Sequence, residues 1–442
     1  MGFDARTYIC EPRWAHSSLG LERMKAVMQG LGYPDRAVPT AHVAGTNGKG
    51  STCAYLASML QAAGLRVGLF ISPGVMGFEE RVQVNGQPIS DAELTEATLV
   101  VRDVAEAIEA ACGEHPTEFE LMAAVAFEHF RRQGCDIAVV EVGLGGRLDA
   151  TNVIVPEVSV IARIGLDHTG ILGDTQAAIA AEKAGIIKAG VPVVSWPQDP
   201  EAMAVIEARC AELGCALTVP DFAELSAGKA ERSQGRFERP FTYRGTPYRT
   251  QLLGLYQPCN AVLALEAIEA LARIGWSIPQ EARQQGIAEA RWPGRFEVLP
   301  LGAADAMLVI DGGHNAQGAT ALVESLADVL ADGDPGSLAH RVTFVMGAMA
   351  DKDYEAMLDA IAPMAKRLVA YAPDNPRALP AEELAEAARR HLPASAVVET
   401  AEGPEDAIAR TCGAADAGDM VVAFGSLYGV AALKSAWQRL SC

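Results

Sequence analysis

The sequence is poor in positive charge. Its 442 residues carry 36 Lys and Arg against 56 Asp and Glu, a formal net charge of −20 at pH 7. A general nucleic-acid binder needs a basic face, so that class is excluded. Any phosphorylated or acidic ligand must therefore be met by cations concentrated locally against the overall field. No apolar run reaches the length of a membrane span. The segment Met1-Gly-Phe-Asp-Ala-Arg6 lacks the apolar core of a signal peptide. Nine cysteines are scattered singly, and the closest pair, Cys210 and Cys215, does not have CxxC spacing. That odd count without a metal pattern argues against a disulfide framework and for reduced thiols. Internal repeats and low-complexity tails are absent as well. A soluble cytoplasmic protein without membrane or nucleic-acid partners is the expectation.

What the chain does contain is apolar residues in half of its positions and charges in about a fifth (50% and 21%), as in ordinary globular proteins. It is too long for one core, so two or three domains are expected. Residues 40–63 stand out. A short apolar run, Ala41–Ala44, enters a loop of Gly45, Thr46, Asn47, Gly48, Lys49, Gly50 and Ser51, and a helix-like stretch follows over Cys53–Ala63. Glycines let backbone N–H groups curl round an anion, and a helix N-terminus adds partial positive charge. Lys49 has the reach for terminal phosphates, and the Ser51 hydroxyl suits Mg²⁺. The match to the common phosphate loop is imperfect: Val43 replaces its first glycine, and Gly50 separates lysine from serine. A plain glycine-rich turn is the competing reading.

A second anchor runs from Cys135 to Asn152. Ile137–Val140 reads as a buried parallel strand, and Glu141 follows it directly. A buried carboxylate is costly unless paired or metal-bound. Gly143, Gly145 and Gly146 permit close backbone approach. Asp149 and Asn152 are also ordinary turn residues. Another strand, Val158–Ile164, ends in Gly165-Leu-Asp-His168, and a later helix carries Glu182-Lys183-Ala-Gly185. By helical spacing, residues 17–32 (Leu21-Glu22-Arg23, Met24, Met28, Leu31) and 91–112 (Val101, Val104, Ala105, Ile108) read as helices. Residues 191–252 read as short strands and polar segments, and Tyr354–Ala365 as a helix.

These stretches resemble, in order, the ATP-dependent amide-forming ligases that include the Mur ligases, and within them the folate branch, dihydrofolate synthase/folylpolyglutamate synthase. The resemblance extends from Leu19 to Tyr428. It implies an N-terminal phosphate-loop ATPase-like α/β domain with a mostly parallel sheet (1–293) and a C-terminal Rossmann-like α/β domain (294–442), joined near Arg291-Trp-Pro-Gly-Arg-Phe-Glu297. By the same resemblance Ser51, Ser72, Glu141 and His168 bind Mg²⁺, two ions in all, and Lys183 is carbamylated. A carbamate forms only on the neutral amine, so Lys183 must lie below its reference pKa of about 10.4. An ordinary surface Glu-Lys pair is the alternative for residues 182–183. Catalytic roles fall to Lys49, Glu141, His168 and Lys183.

The resemblance further implies that Arg81, Thr117, Phe119, Glu120, Arg147, Leu148, Asp149, Ala150 and Asn152 meet the pterin-bearing substrate. Phe119 is equally readable as core. Asn260, Arg295, Asp311 and His314 join the phosphate loop around ATP, although Asn260 also suits a helix cap. A charge-assisted contact from Arg295 to phosphate is worth ~1.5–3 kcal/mol. The chain departs from the family pattern at Gly74, at Glu79-Glu80-Arg81 in place of Asn-Glu-Arg, and at Tyr256 in place of histidine.

The implied function is ligation of L-glutamate to dihydropteroate and to folyl(poly)glutamate through an acyl phosphate, by a monomer whose two lobes grip ATP and close on it to exclude water. Two other readings stay open: an amide ligase of the same superfamily acting on a different acid, and a nucleotide-binding regulator without catalysis.

Overall fold

The structure, a computed structural model, describes residues 3–13, 20–233, 236–301, 306–330, 338–339, 341–413 and 419–440. The chain forms two compact units. One comprises Met1–Leu225, Tyr243–Tyr248 and Cys259–Ala290; the other comprises Ser226–Thr242, Arg249–Pro258 and Arg291–Cys442.

The first unit is built on an eight-stranded sheet. Its strands in chain order are β1 (Thr40–Ala44), β2 (Val67–Phe70), β3 (Val82–Val84), β4 (Gln87–Pro88), β5 (Ile137–Glu141), β6 (Val158–Ile161), β7 (Val193–Ser195) and β8 (Leu217–Thr218). They lie in the order β4-β3-β2-β5-β1-β6-β7-β8. From β2 to β8 all neighbours are parallel, while β3 and β4 add an antiparallel edge. The central strands β1, β2, β5 and β6 are buried along their whole lengths. That is why they read as continuous apolar runs rather than alternating ones.

The expected helix over 91–112 is Asp91–Cys112, started by a reciprocal Ser90–Glu93 capping box and ended at Gly113 with φ 78°. A helix expected over 17–32 has a described part, Glu22–Gly30; Ser17 and Leu19 lie outside the described residues. The helix after the phosphate loop spans Lys49–Ala62 with Gly48 as its cap, four residues earlier than its apolar content suggests. Lys49, Gly50 and Ser51 are therefore its first turn. Residues 191–252, read as strands and polar segments, also contain the helix Pro200–Leu213. Its signal was present: Pro200 opens the helix, and Ala202, Ile206 and Cys210 are its buried residues at a spacing of four.

In the second unit six strands form a sheet. Glu297–Pro300 pairs antiparallel with Met307–Ile310, followed by Met420–Phe424, Val342–Met346, Ala365–Ala370 and Val397–Thr400, all parallel. The helices Ala316–Leu330, Tyr354–Ile361 and Ala381–His391 pack their apolar faces into its core. Tyr354–Ala365, read as one helix, ends at Ile361 because Pro363 turns the next residues into a 3₁₀ segment before the strand.

One helix contact braces the helix that follows the phosphate loop. Helix Gln280–Glu289 meets Lys49–Ala62 at Gly286, where an added Cβ would lie 2.4 Å from Met59 Cα and 2.5 Å from its nitrogen. Backbone cannot move aside as a flexible side chain can. Gly286→Ala is expected to destabilise the first unit by ~1–3 kcal/mol in denaturant melts, as overpacking does.

Candidate active site

Sheet register decides which loops meet. Val43 of β1 lies beside Glu141 of β5, Phe70 of β2 beside Val140 of β5, and Ala44 of β1 beside Ile161 of β6. The carboxyl ends of β2, β5, β1 and β6 thus open at one edge, where ligands of such sheets bind. They deliver Ser72, Glu141, the phosphate loop and Gly165–His168 to the same place.

The loop there is tightly tied. The N–H groups of Thr46 and Asn47 both donate to the Arg163 carbonyl (2.9 and 3.1 Å). The Thr46 hydroxyl donates to the Gly165 carbonyl at 3.0 Å and accepts from the Gly165 N–H at 3.1 Å. Gly48 takes φ 88°, and a Cβ there would sit 2.5 Å from Asn260 Oδ1, so the buried Asn260 lies directly against the loop. Lys49 folds back, its Nζ donating to the carbonyls of Gly45 (3.2 Å) and Thr46 (3.4 Å). Ser51 is buried in the first helical turn. Buried Glu141 accepts the Ser72 N–H through Oε2 at 3.1 Å.

Lys183 completes this group. It is buried, and its Nζ donates to the Gly45 carbonyl at 2.8 Å. Burial first, and the Lys49 charge second, bring its pKa down to about 7. An ordinary surface Glu-Lys pair does not describe this residue. His168 is exposed with φ 51°, and its N–H bonds Asp167 Oδ1 at 2.9 Å.

The remaining first-unit residues have visible structural work. Thr117 and Glu120 form a reciprocal capping box on helix Glu118–Arg132, and Glu120 also accepts from Arg23 Nε at 2.8 Å. Arg81 donates to Glu118 at 2.8 Å. Phe119 packs against Gly143, where a Cβ would fall 2.5 Å from the ring, and against Phe70. Asp149 caps the turn Ala150–Val153, accepting from the N–H groups of Thr151 (3.0 Å) and Leu144 (2.9 Å), while burial pushes its carboxyl up. Leu148 is exposed and Ala150 buried. Arg147 pairs with Glu182 at 2.8 Å. Glu182, Arg23 and the Arg163 carbonyl were not singled out as site residues. Only Glu182 and Arg23 lie in quoted motifs, and a carbonyl contact leaves no sequence signal.

In the second unit Asp311 is buried, accepting from the N–H groups of Phe296 (2.8 Å) and Gly313 (2.7 Å) and from the Tyr256 hydroxyl at 3.3 Å. Its carboxyl is pushed up by burial and drawn back by Arg295. His314 Nδ1 lies 3.0 Å from the Gly312 carbonyl.

Residues 43–268 match the Mur ligase middle domain and residues 294–427 the Mur ligase glutamate ligase domain. The dihydrofolate synthase/folylpolyglutamate synthase of Bacillus subtilis is 37% identical over 94% of this chain and 95% of its own. This chain belongs to that branch of the Mur ligase family. Solved structures of the branch align over nearly the whole chain. The Mycobacterium tuberculosis folylpolyglutamate synthase complexed with ADP has a TM-score of 0.85 at 31% identity, covering 98% of this chain and 97% of its own. E. coli FolC in complex with DHPP and ADP has a TM-score of 0.83 at 28% identity, covering 100% and 99%.

For a member of this branch the low lysine pKa has a measurable signature. Unfolded, Lys183 holds its proton up to about 10.4; folded, only to about 7. Between those values the folded chain binds fewer protons, so this residue's contribution to stability rises with pH and levels off below about 7. Lys183→Met should remove from the stability-versus-pH curve a slope of about 1.4 kcal/mol per pH unit across that window, read as the wild-type minus variant difference in urea melts.

Proposed function

We propose that this chain is an ATP-dependent ligase that joins L-glutamate in amide linkage to dihydropteroate and to folyl(poly)glutamate, releasing ADP and phosphate. The observation that carries the reading is the convergence of the phosphate loop, Ser72, Glu141 and Lys183 at one edge of a parallel sheet. Relatives named for this activity, matched along nearly their whole length, support it. Relatives complexed with ADP support ATP as the nucleotide.

Phosphate-loop N–H groups and the start of helix Lys49–Ala62 hold the nucleotide's phosphates. Lys49 exchanges its loop carbonyls for a phosphate oxygen. An oxygen of the substrate carboxylate attacks the γ-phosphorus, the bond to ADP breaks, and an acyl phosphate forms. The amino group of L-glutamate then attacks the acyl carbon, loses a proton, and expels inorganic phosphate. Fixed positive charge at Lys49 meets the negative charge that moves in the first step. Arg295, Asp311, His314 and Asn260 are the further nucleotide contacts of this reading. Arg81, Thr117, Phe119, Glu120, Leu148, Asp149 and Ala150 are its substrate-side residues, and Arg147 and Asn152 belong to the loop that carries the last three.

Magnesium fits the donors present. Ser51 and Ser72 offer hydroxyls and Glu141 a carboxylate, all hard oxygens. Among the described residues no group of three or more His, Cys, Asp and Glu could hold a metal ion, so the ion would depend on nucleotide oxygens and water for its other ligands. Bound there, Mg²⁺ would neutralise and polarise the phosphates. A second ion at His168, together with a carbamate on Lys183, belongs to the same reading; the buried amine with pKa about 7 is the state a carbamate requires. The enzyme is read as a cytoplasmic monomer acting on small molecules.

Incubation with ATP, Mg²⁺, L-glutamate and either dihydropteroate or a UDP-muramyl acid tests the assignment. Phosphate release with dihydropteroate alone is expected; release only with the muramyl acid would overturn it. Glu141→Gln should bring release to background, and Lys49→Ala should lower kcat on the order of 10²–10³-fold, as losing one electrostatic donor does. Turnover unchanged in Glu141→Gln would remove the metal assignment.

A further inference from the structure

The loop 143–152 and the end of helix Gln176–Ala184 interlock more closely than a surface contact requires. Asn152 is buried, and its amide nitrogen donates to two carbonyls, Arg147 on its own loop and Gly185 beyond the helix, both at 3.0 Å. Its Oδ1 is buried and has no hydrogen-bond partner among the described residues. Arg147 reinforces the join twice: its N–H donates to the Glu182 carbonyl at 2.8 Å, and its guanidinium bonds Glu182 Oε1 at 3.0 and 2.8 Å. Two glycines make the approach possible. A Cβ on Gly146 would lie 2.7 Å from the Glu182 carbonyl oxygen and 3.1 Å from Lys183 Cα, and one on Gly185 would lie 2.4 Å from Arg147 Cα. Between the residues held this way sits Lys183, whose amine reaches the Gly45 carbonyl of the phosphate loop.

We infer that Asn152 is a positioning residue: with Arg147 it clamps the helix end so that Lys183 is fixed on the phosphate loop, and it does not itself touch the substrate. Both its N–H donors are committed to backbone and its oxygen is enclosed, so no polar atom is presented to a ligand. The clamp has two parts: the Asn152 amide holds backbone carbonyls on both sides, and the Arg147 guanidinium holds the Glu182 carboxylate. This inference rests on the ligase reading for its assay, and on Lys183 as part of the machinery.

The test is steady-state kinetics of Asn152→Asp, which keeps size and removes both donors, alone and in a Lys183→Ala background. The expected result is a fall in kcat on the order of 10²-fold, the scale of a misplaced group. The KM for dihydropteroate should stay within about twofold, since no substrate contact is lost. In the Lys183→Ala background the same substitution should produce no further fall in residual kcat, because two residues that act as one unit are not additive. Arg147→Ala, whose side chain is exposed, reads the same clamp without disturbing buried structure. A lower kcat at constant KM is expected there as well, and this variant decides if Asn152→Asp does not fold. A raised KM with kcat preserved would make Asn152 a substrate contact and overturn the proposal. Equal losses with and without Lys183 would overturn it, as would unchanged kinetics in Arg147→Ala. Full turnover in Lys183→Ala would end the proposal while leaving the ligase reading intact, whereas a wild-type protein that never consumes dihydropteroate would end the ligase reading itself.

Discussion

The first unit depends on placing charged groups at the buried ends of parallel strands without leaving them unpaired. Glu141 ends a strand with no exposed residue, where an isolated carboxylate would be costly. Lys183 is enclosed as well. The structure meets both demands with backbone, using the Ser72 N–H for the carboxylate and the Gly45 carbonyl for the amine. Those two bonds join the loops after β2, β1 and β5 to a helix from a distant part of the chain. A chemical site follows from that arrangement, since the same groups that need partners are the ones able to meet phosphate and magnesium.

Electrostatics on a larger scale point the same way. The chain as a whole is strongly acidic, with a formal charge of −20, yet Lys49 and Lys183 both lie against the carbonyl of one loop residue, Gly45. Burial lowers the tendency of Lys183 to hold a proton, and the Lys49 charge adds to it. The Lys49 contacts to its own loop are long, at 3.2 and 3.4 Å, so a better acceptor such as a phosphate oxygen can displace them at small cost.

Much of this was legible in the letters. Continuous apolar runs marked the central strands because those strands are buried on both faces, and the position of Glu141 directly after one marked it as unusual. Helix Asp91–Cys112 was marked by Val101, Val104, Ala105 and Ile108 on one side, the side that packs into the core. Helix Pro200–Leu213 escaped because its buried stripe is narrow. The roles of Thr117, Glu120, Asp149 and Asn152 were harder to read, since capping and carbonyl contacts depend on which backbone lies opposite. Two departures from the family pattern find local explanations. Gly74 is fixed by its loop, where a Cβ would fall 2.2 Å from the Gly77 carbonyl, and Glu80 staples that loop by accepting the N–H groups of Val75 and Met76 at 2.8 and 2.6 Å. Tyr256, in place of histidine, bonds Asp311 and so helps hold the turn at Phe296.

The central claim is that an acid is activated by phosphoryl transfer before the amine attacks. Dihydropteroate labelled with ¹⁸O in both carboxylate oxygens, incubated with ATP, Mg²⁺ and L-glutamate, tests it by the isotope shift in the phosphorus spectrum of the released phosphate. One labelled oxygen in each phosphate released is predicted, because the acyl carbon–oxygen bond breaks when the amide forms. Amide formation with unlabelled phosphate would contradict the account.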